Sequence, residues 1–224
     1  MTAEPGQRNA RVDATSAARA RVYAFLAEVL TSPPTRERAQ RIRRMARVLD
    51  IPCPACWPLD ELEGEYRNLF VVPNPRYVAP YESVYRDAWQ LSPVGAPSSS
   101  RPQSMMIKGL LMGESTLSVR QCYSEAGVAQ AEDLPDHIGN ELRFMAYLWN
   151  REAAESPGAR EVTGALRTKF RDEHLLKWIQ SLLKRVLESE RLGLYAVVLQ
   201  IAEVVLRNDS QARRRAAEAR SGRR

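Results

Sequence analysis

The sequence predicts an all-α protein, a single domain built as a multi-helix bundle. Apolar residues recur at spacings of three and four along most of the 224 residues, which is the period of an amphipathic helix. Proline and glycine divide this pattern into segments of helical length. No segment alternates apolar and polar residues in the manner of a convincing β-strand.

Three helices are predicted in the N-terminal part of the chain. The first ends at Ser32-Pro33-Pro34, the second is rich in arginine and ends before Pro52, and the third ends before Pro73. Each carries an apolar stripe that can bury one face. The stripes are Val22, Phe25, Leu26, Val29 and Leu30, then Ile42, Met45, Ala46 and Leu49, then Leu62, Tyr66, Leu69 and Phe70.

Residues 71–104 predict a long connection, because six prolines and a serine run interrupt the helical pattern. Within it we expect an ordered segment over 78–85 and a mobile loop over 92–104. Met105, Met106 and Met112 beside this loop suit adaptable apolar contacts or core filling equally.

Four further helices follow in the second half. Gly127 suits the position just after the first of them, and Asp136 suits the N-cap of the second. Ser156-Pro157-Gly158 breaks the pattern before one long amphipathic helix, and a final helix begins after Gly193. Their apolar residues are Val119, Cys122, Tyr123 and Ala126; Ile138, Leu142, Met145, Ala146 and Trp149; Phe170, His174, Leu175, Trp178, Ile179, Leu182, Val186 and Leu187; and Leu194, Val197, Val198, Ile201, Val205 and Leu206.

Composition predicts a division into a disordered tail over 1–15, a helical domain over 16–207 and a basic disordered tail over 208–224. The net charge is +6, and residues 210–224, with six Arg against one Glu, supply five of these charges. The charge therefore belongs mainly to the tail. No apolar run is long enough for a membrane span and the N-terminus lacks a secretory h-region, so we expect a cytoplasmic protein.

The cysteines and histidines give little support for a metal site. Cys53 and Cys56 form a CxxC pair, but no second CxxC or HxxxH follows to complete four zinc ligands. A structural loop is the favoured interpretation, with metal or redox chemistry as the alternative. His137 and Glu141, beside Asp136, admit a metal by spacing, although a helix cap explains the same residues. We predict neither a metal nor a cofactor.

Catalytic motifs are also missing from the sequence. It contains no G-x-S-x-G nucleophile elbow, no G-x-G-x-x-G fingerprint and no phosphate-binding G-x-x-x-x-G-K-[ST] loop. We therefore predict no catalytic residues and no enzymatic activity.

Four sequence runs, in order, point to one family. They are E-Y-R-N-L-F over 65–70, P-Y-E-S-V-Y over 80–85, P-D-H-I-G-N-E-L-R-F-M over 135–145, and F-R-D-E-H-L-L-K-W over 170–178. Together they resemble the TorD/DmsD/NarJ family, the system-specific chaperones of molybdenum oxidoreductases. The resemblance extends from about residue 20 to about residue 205. The 86–104 insertion is similar to the subgroup that serves type II enzymes of the dimethyl sulfoxide reductase family.

This resemblance implies an all-α fold, no catalysis and a polypeptide partner. Family members bind the twin-arginine signal peptide or N-terminal region of a catalytic subunit and support insertion of its molybdopterin cofactor before export or assembly. They occur as monomers and as domain-swapped dimers.

A receptor for two arginines followed by an apolar stretch needs carboxylates beside an apolar groove. We expect the 80–85 turn to pack against the start of the Asp136 helix and to bring such groups together. For Tyr81 and Tyr85 a role in the core is an open alternative. The predicted client-binding residues are Leu69, Phe70, Pro80, Tyr81, Glu82, Ser83, Tyr85, Asp136, His137, Glu141 and Met145.

A helical nucleic-acid-binding regulator is the alternative function. The arginine-rich second helix and the basic tail favour it, whereas the near-neutral charge of the rest of the chain does not.

Overall fold

The structure, a computed structural model, describes residues 5–91, 105–129 and 134–221. It confirms the all-α prediction: helices dominate the described residues and pack into one bundle. The helices are α1 Pro5–Thr31, α2 Arg36–Val48, α3 Leu59–Tyr66, α4 Glu82–Arg86, α5 Glu114–Glu125, α6 Ile138–Ala154, α7 Pro157–Phe170, α8 Leu176–Ser189 and α9 Leu194–Ser221.

Most helix boundaries lie where the sequence predicts them. α1 ends just before Ser32-Pro33-Pro34, and the Thr35 hydroxyl accepts a hydrogen bond of 3.2 Å from the Arg38 amide at the start of α2. Gly127 (φ 71°) and Gly193 (φ 78°) both adopt the left-handed conformation that glycine favours, the first of them directly after α5.

The core lies along α1 and α6, the most extensively paired helices, and continues to α8 and α9. These elements contribute side chains that are essentially inaccessible to solvent, as the binary pattern predicts. Examples are Leu26, Leu142, Met145, Trp178, Leu182, Val198 and Ile201.

Two predicted helices are each divided by a wider, π-helical turn. α3 passes into such a turn over Arg67–Val71, and a second turn over Arg171–Leu175 separates α7 from α8. The long helix predicted after Pro157 is continuous from Pro157 to Ser189, but it contains this π-helical turn, which was not predicted. Apolar spacing does not reveal one extra residue in a turn, and such turns often accompany functional positions.

A two-stranded antiparallel ribbon corrects the expectation of no strands. β1 (Ala88–Leu91) pairs with β2 (Met105–Lys108), with Ala88 opposite Lys108 and Leu91 opposite Met105. Strands of four residues are too short to establish a period of two in the sequence. The loop predicted to be mobile, 92–104, lies outside the described residues.

The described ends of the chain are helical, where we expected disordered tails. α1 begins at Pro5 and α9 continues to Ser221, so helix occupies 5–15 and 208–221. Both segments extend a helix already held by the core, and their alanine and arginine residues favour helical backbone. The remaining division, one chaperone domain over 16–207, stays a prediction.

The described helices include no transmembrane candidate, because none combines sufficient length with sufficient apolar character.

Candidate functional site

The two motif segments predicted to form a site are in contact. The Ile138 amide donates to the Pro80 carbonyl and the Glu82 amide to the Asp136 carbonyl, both at 2.9 Å. The Tyr81 and His137 rings meet edge to face, 5.2 Å between centroids. The 80–85 turn therefore packs against the start of α6, as predicted.

The helix caps here differ from the prediction. His137, not Asp136, is the N-cap of α6, and its Nδ1 accepts a hydrogen bond of 3.0 Å from the Gly139 amide. The Asp136 carboxylate instead accepts a 3.0 Å hydrogen bond from the Ser83 amide at the start of α4. Asp136 therefore fixes the P-Y-E-S-V-Y segment, a long-range role that local spacing does not reveal.

Glu82 connects three segments of the chain in the interior. Its carboxylate, fully buried, lies 2.8 Å from Nδ1 of His174 and also pairs with Arg86. On the other side of the imidazole, Nε2 lies 3.3 Å from the Ser118 hydroxyl. His174 is thus a buried histidine whose two ring nitrogens both have partners, Glu82 on one side and Ser118 on the other.

Glu141 is the third buried carboxyl of this region. It accepts a hydrogen bond of 3.1 Å from the Trp178 indole, and the Trp178 ring stacks on Tyr85 at 5.6 Å. Burial, first, and the neighbouring charge of Glu82, second, raise the pKa of Glu141 well above its usual range. We call Glu82, Asp136, Glu141, His174 and Trp178 the internal polar network.

Glu141→Gln is expected to change how stability depends on pH. Because the folded-state pKa of Glu141 is raised, its contribution to stability is complete below the unfolded pKa and is lost as the pH rises above it. Glutamine cannot ionise and accepts the same indole hydrogen bond. The variant should therefore be more stable than the parent at pH 8, and this advantage should shrink towards pH 4. The free energy of unfolding, measured with urea between pH 4 and pH 8, checks this expectation. If it varies with pH in the same way for the parent and the variant, the raised pKa of Glu141 is refuted.

An open cleft of about 310 Å³ lies beside the internal polar network. The end of α1, the end of α3, the Tyr81 turn and the start of α6 form its walls. Four ring side chains contribute to the lining, but most of its exposed surface is polar. Among these rings, Phe70 packs edge-on against the buried Tyr195 at 5.1 Å. The lining residues are Leu30, Thr31, Tyr66, Phe70, Tyr81, Leu134, His137, Asn140 and Arg143.

The charge of the cleft differs from the expectation of a carboxylate-lined groove. Its described lining includes the Arg143 guanidinium and no carboxylate. Arg143 donates to Thr31 and Asn140, which joins α1 to α6 across the cleft. The predicted acidic groups Glu82, Asp136 and Glu141 lie inside the protein, where none is accessible to solvent.

The predicted site residues thus separate into two sets. Phe70, Tyr81 and His137 line the cleft, and the Tyr85 ring, which stacks on Trp178, is partly exposed. The others are buried: Leu69, Pro80, Glu82, Ser83, Asp136, Glu141 and Met145.

Asn140 and Arg143 were not among the site residues predicted from the sequence. Both follow His137 at spacings of three and six, so extending the helical face of His137 by two turns finds them. Thr31 lies more than 100 residues away in the chain, and no sequence signal connects it to this site.

The arrangement suits binding better than catalysis. Burial raises the pKa of the Cys122 thiol to about 11, so it stays protonated and is a poor nucleophile at neutral pH. Cys53 and Cys56 are free thiols in the loop before α3. The described residues contain no group of three or more His, Cys, Asp or Glu side chains placed to hold a metal ion.

A helical bundle with an open cleft and a buried polar network is an arrangement that suits a binding protein. The chain belongs to the nitrate reductase delta subunit family, whose family model matches residues 32–184. This confirms the predicted family: the protein is a maturation chaperone of molybdenum redox enzymes and not a catalyst. Membership of this family takes the place of the alternative function, a helical nucleic-acid-binding regulator.

A crystal structure of a candidate redox enzyme maturation protein from Archaeoglobus fulgidus is similar, with a TM-score of 0.48 and 20% sequence identity over 84% of this chain and 93% of that chain. No curated protein sequence gives a significant match.

Proposed function

We propose that this chaperone binds the N-terminal region of a molybdopterin oxidoreductase catalytic subunit, in the form of a twin-arginine signal peptide, in the cleft between α1, α3 and α6. Binding holds the client in the cytoplasm while its cofactor is inserted and it folds. The observation that carries the proposal is the cleft itself, which three of the four family motifs line.

The apolar part of such a peptide has the aromatic rings of the cleft to contact, within a lining that is otherwise mostly polar. Tyr66, Phe70 and Tyr81 offer flat apolar rings, and aromatic residues are the side chains that most often dominate peptide affinity. Arg143 and Asn140 supply N–H donors for peptide carbonyls at the rim. A short apolar helix or extended segment is therefore the expected occupant.

The client arginines need acceptors outside this lining. Two acceptors for a guanidinium group lie around Arg86. The Arg86 guanidinium pairs with the Glu82 carboxylate and donates to the Glu173 carbonyl at 2.8 Å. We propose that a client arginine competes with Arg86 for these two acceptors. Its binding then requires Arg86, whose side chain is 32% exposed, to move outward.

Replacement of Tyr81 tests the cleft. Tyr81→Ala is expected to weaken binding of a labelled twin-arginine peptide by roughly 10- to 100-fold, because it removes one aromatic wall. Fluorescence anisotropy measures the affinity. Tyr147→Ala is the matched control, since Tyr147 is a partly exposed tyrosine outside the cleft and its replacement should leave affinity unchanged. Equal affinities for parent and Tyr81→Ala would refute the cleft as the site.

The client assignment has its own test. Tagged protein should recover the catalytic subunit of a molybdopterin enzyme, of the dimethyl sulfoxide reductase family type II group, from its native cytoplasm. A peptide with lysines in place of both arginines should bind more weakly, because lysine lacks the forked guanidinium donors. Equal binding of the two peptides would remove the twin-arginine part of the proposal.

A further inference from the structure

The outer face of α2 is the most concentrated positive surface among the described helices. The helix holds six arginines in thirteen residues, with Glu37 as its one acidic residue. Three of these arginines have partners: Arg38 pairs with Glu28, Arg41 lies over Phe25 and Arg43 lies over Trp57.

The other three, Arg36, Arg44 and Arg47, are exposed, and no side-chain partner is found for them in the described part of the chain. At 100° per residue they fall within an arc of about 80° and extend for about 16 Å along the helix. They therefore form one continuous strip of guanidinium groups, which we call the arginine strip.

Helix stability alone does not account for the arginine strip. Arg36 lies in the first turn, where the helix dipole disfavours a cation, and Arg44 and Arg47 repel each other at a spacing of three. The opposite, buried face of α2 is held by Ala39, Ile42 and Ala46 and does not need these charges. An anionic partner offsets this repulsion.

The surroundings of the arginine strip favour a lipid surface over a nucleic acid. α2 has no aromatic residue, whereas proteins that bind single-stranded nucleic acid stack bases on aromatic rings. Val48, four residues after Arg44, is 84% exposed, and an apolar side chain beside cations suits the headgroup boundary of a bilayer. α9, which packs against α2, continues into the segment with six arginines.

We propose that the arginine strip of α2 is a peripheral docking surface for anionic phospholipid membranes. Guanidinium groups contact the lipid phosphates, and Val48 lies at the headgroup boundary without any helix crossing the bilayer. This surface is separate from the cleft and does not depend on the proposed client.

Vesicle co-sedimentation tests this surface with the full-length chain. The parent should bind vesicles of phosphatidylglycerol and phosphatidylcholine at low salt, bind pure phosphatidylcholine far less, and dissociate as salt rises. R36Q/R44Q/R47Q should lower the partition coefficient roughly 100-fold, at about fivefold per arginine. K177Q/K184Q/R185Q removes the same charge from the exposed side of α8 and should bind like the parent.

Three results would overturn the proposal. An equal loss in both variants would mean that net charge alone drives binding, and no binding by the parent would remove the lipid partner. Preferential binding of duplex DNA in competition with the vesicles would assign the arginine strip to nucleic acid. Circular dichroism of both variants verifies that the fold is retained.

Discussion

Glu82→Ala is expected to lower the free energy of unfolding by about 3–5 kcal/mol, because it opens a cavity in the core and leaves His174 and Arg86 without the carboxylate that both contact. His174 loses its 2.8 Å contact and Arg86 loses its carboxylate. Glu82 is inaccessible to solvent, so water cannot replace the lost interactions without entering the core. Urea unfolding followed by far-ultraviolet circular dichroism measures the change.

The matched control is Glu188→Ala. Glu188 also pairs with an arginine, Arg185 at 3.0 Å, but both side chains are about half exposed, so the change should stay under about 0.5 kcal/mol. Combining Glu82→Ala with His174→Ala should cost less than the sum of the two single changes, because they share one interaction. A loss under 1 kcal/mol for Glu82→Ala would show that the internal polar network is not a stabilising element.

Trp178→Ala should destabilise the protein by a similar amount, about 3–5 kcal/mol, through a different mechanism. Trp178 is fully buried, and its removal opens a large cavity between α6 and α8. The same change removes the indole N–H from Glu141 and the ring from Tyr85. The measurement is again the midpoint and slope of urea unfolding.

Trp178→Phe separates the two contributions. Phenylalanine retains most of the apolar volume but cannot donate to Glu141, so the loss should fall to about 1–3 kcal/mol. The loss of stability caused by Trp178→Phe should be smaller in a Glu141→Leu background, because no buried carboxyl group is then left without its hydrogen-bond donor. Equal costs for Trp178→Phe and Trp178→Ala would mean that the hydrogen bond, and not the packing, determines the stability at this position.

The helices were predictable because their signals are local. Pro33, Pro34 and Gly127 end helices by backbone chemistry that needs no tertiary information, and the structure follows them. The π-helical turn over Arg171–Leu175 was not predictable in this way. It places His174 and Trp178 opposite Glu82 and Glu141, which is a tertiary requirement.

The candidate site was predictable in its segments but not in its geometry. The motifs containing Tyr81 and His137 do meet, yet the sequence does not tell which side of the contact faces water. Acidic residues were expected on the outside because Glu82 and Asp136 are charged, and residues of this kind are seldom fully buried. Partners distant in the chain, His174 for Glu82 and the Ser83 amide for Asp136, change that expectation.

The contacts that close this fold join residues distant in the chain, which has a consequence for how the protein is made. Arg19 pairs with Asp209, Glu65 contacts the Arg191 amide, and Glu82 contacts His174, at sequence separations of 190, 126 and 92 residues. Contacts of this range cannot form until both of their partners have been synthesised. During synthesis on the ribosome, Glu82 and Glu141 lack their partners until His174 and Trp178 have been added to the chain. A nascent chaperone is therefore not competent to receive a client until nearly its whole chain has emerged.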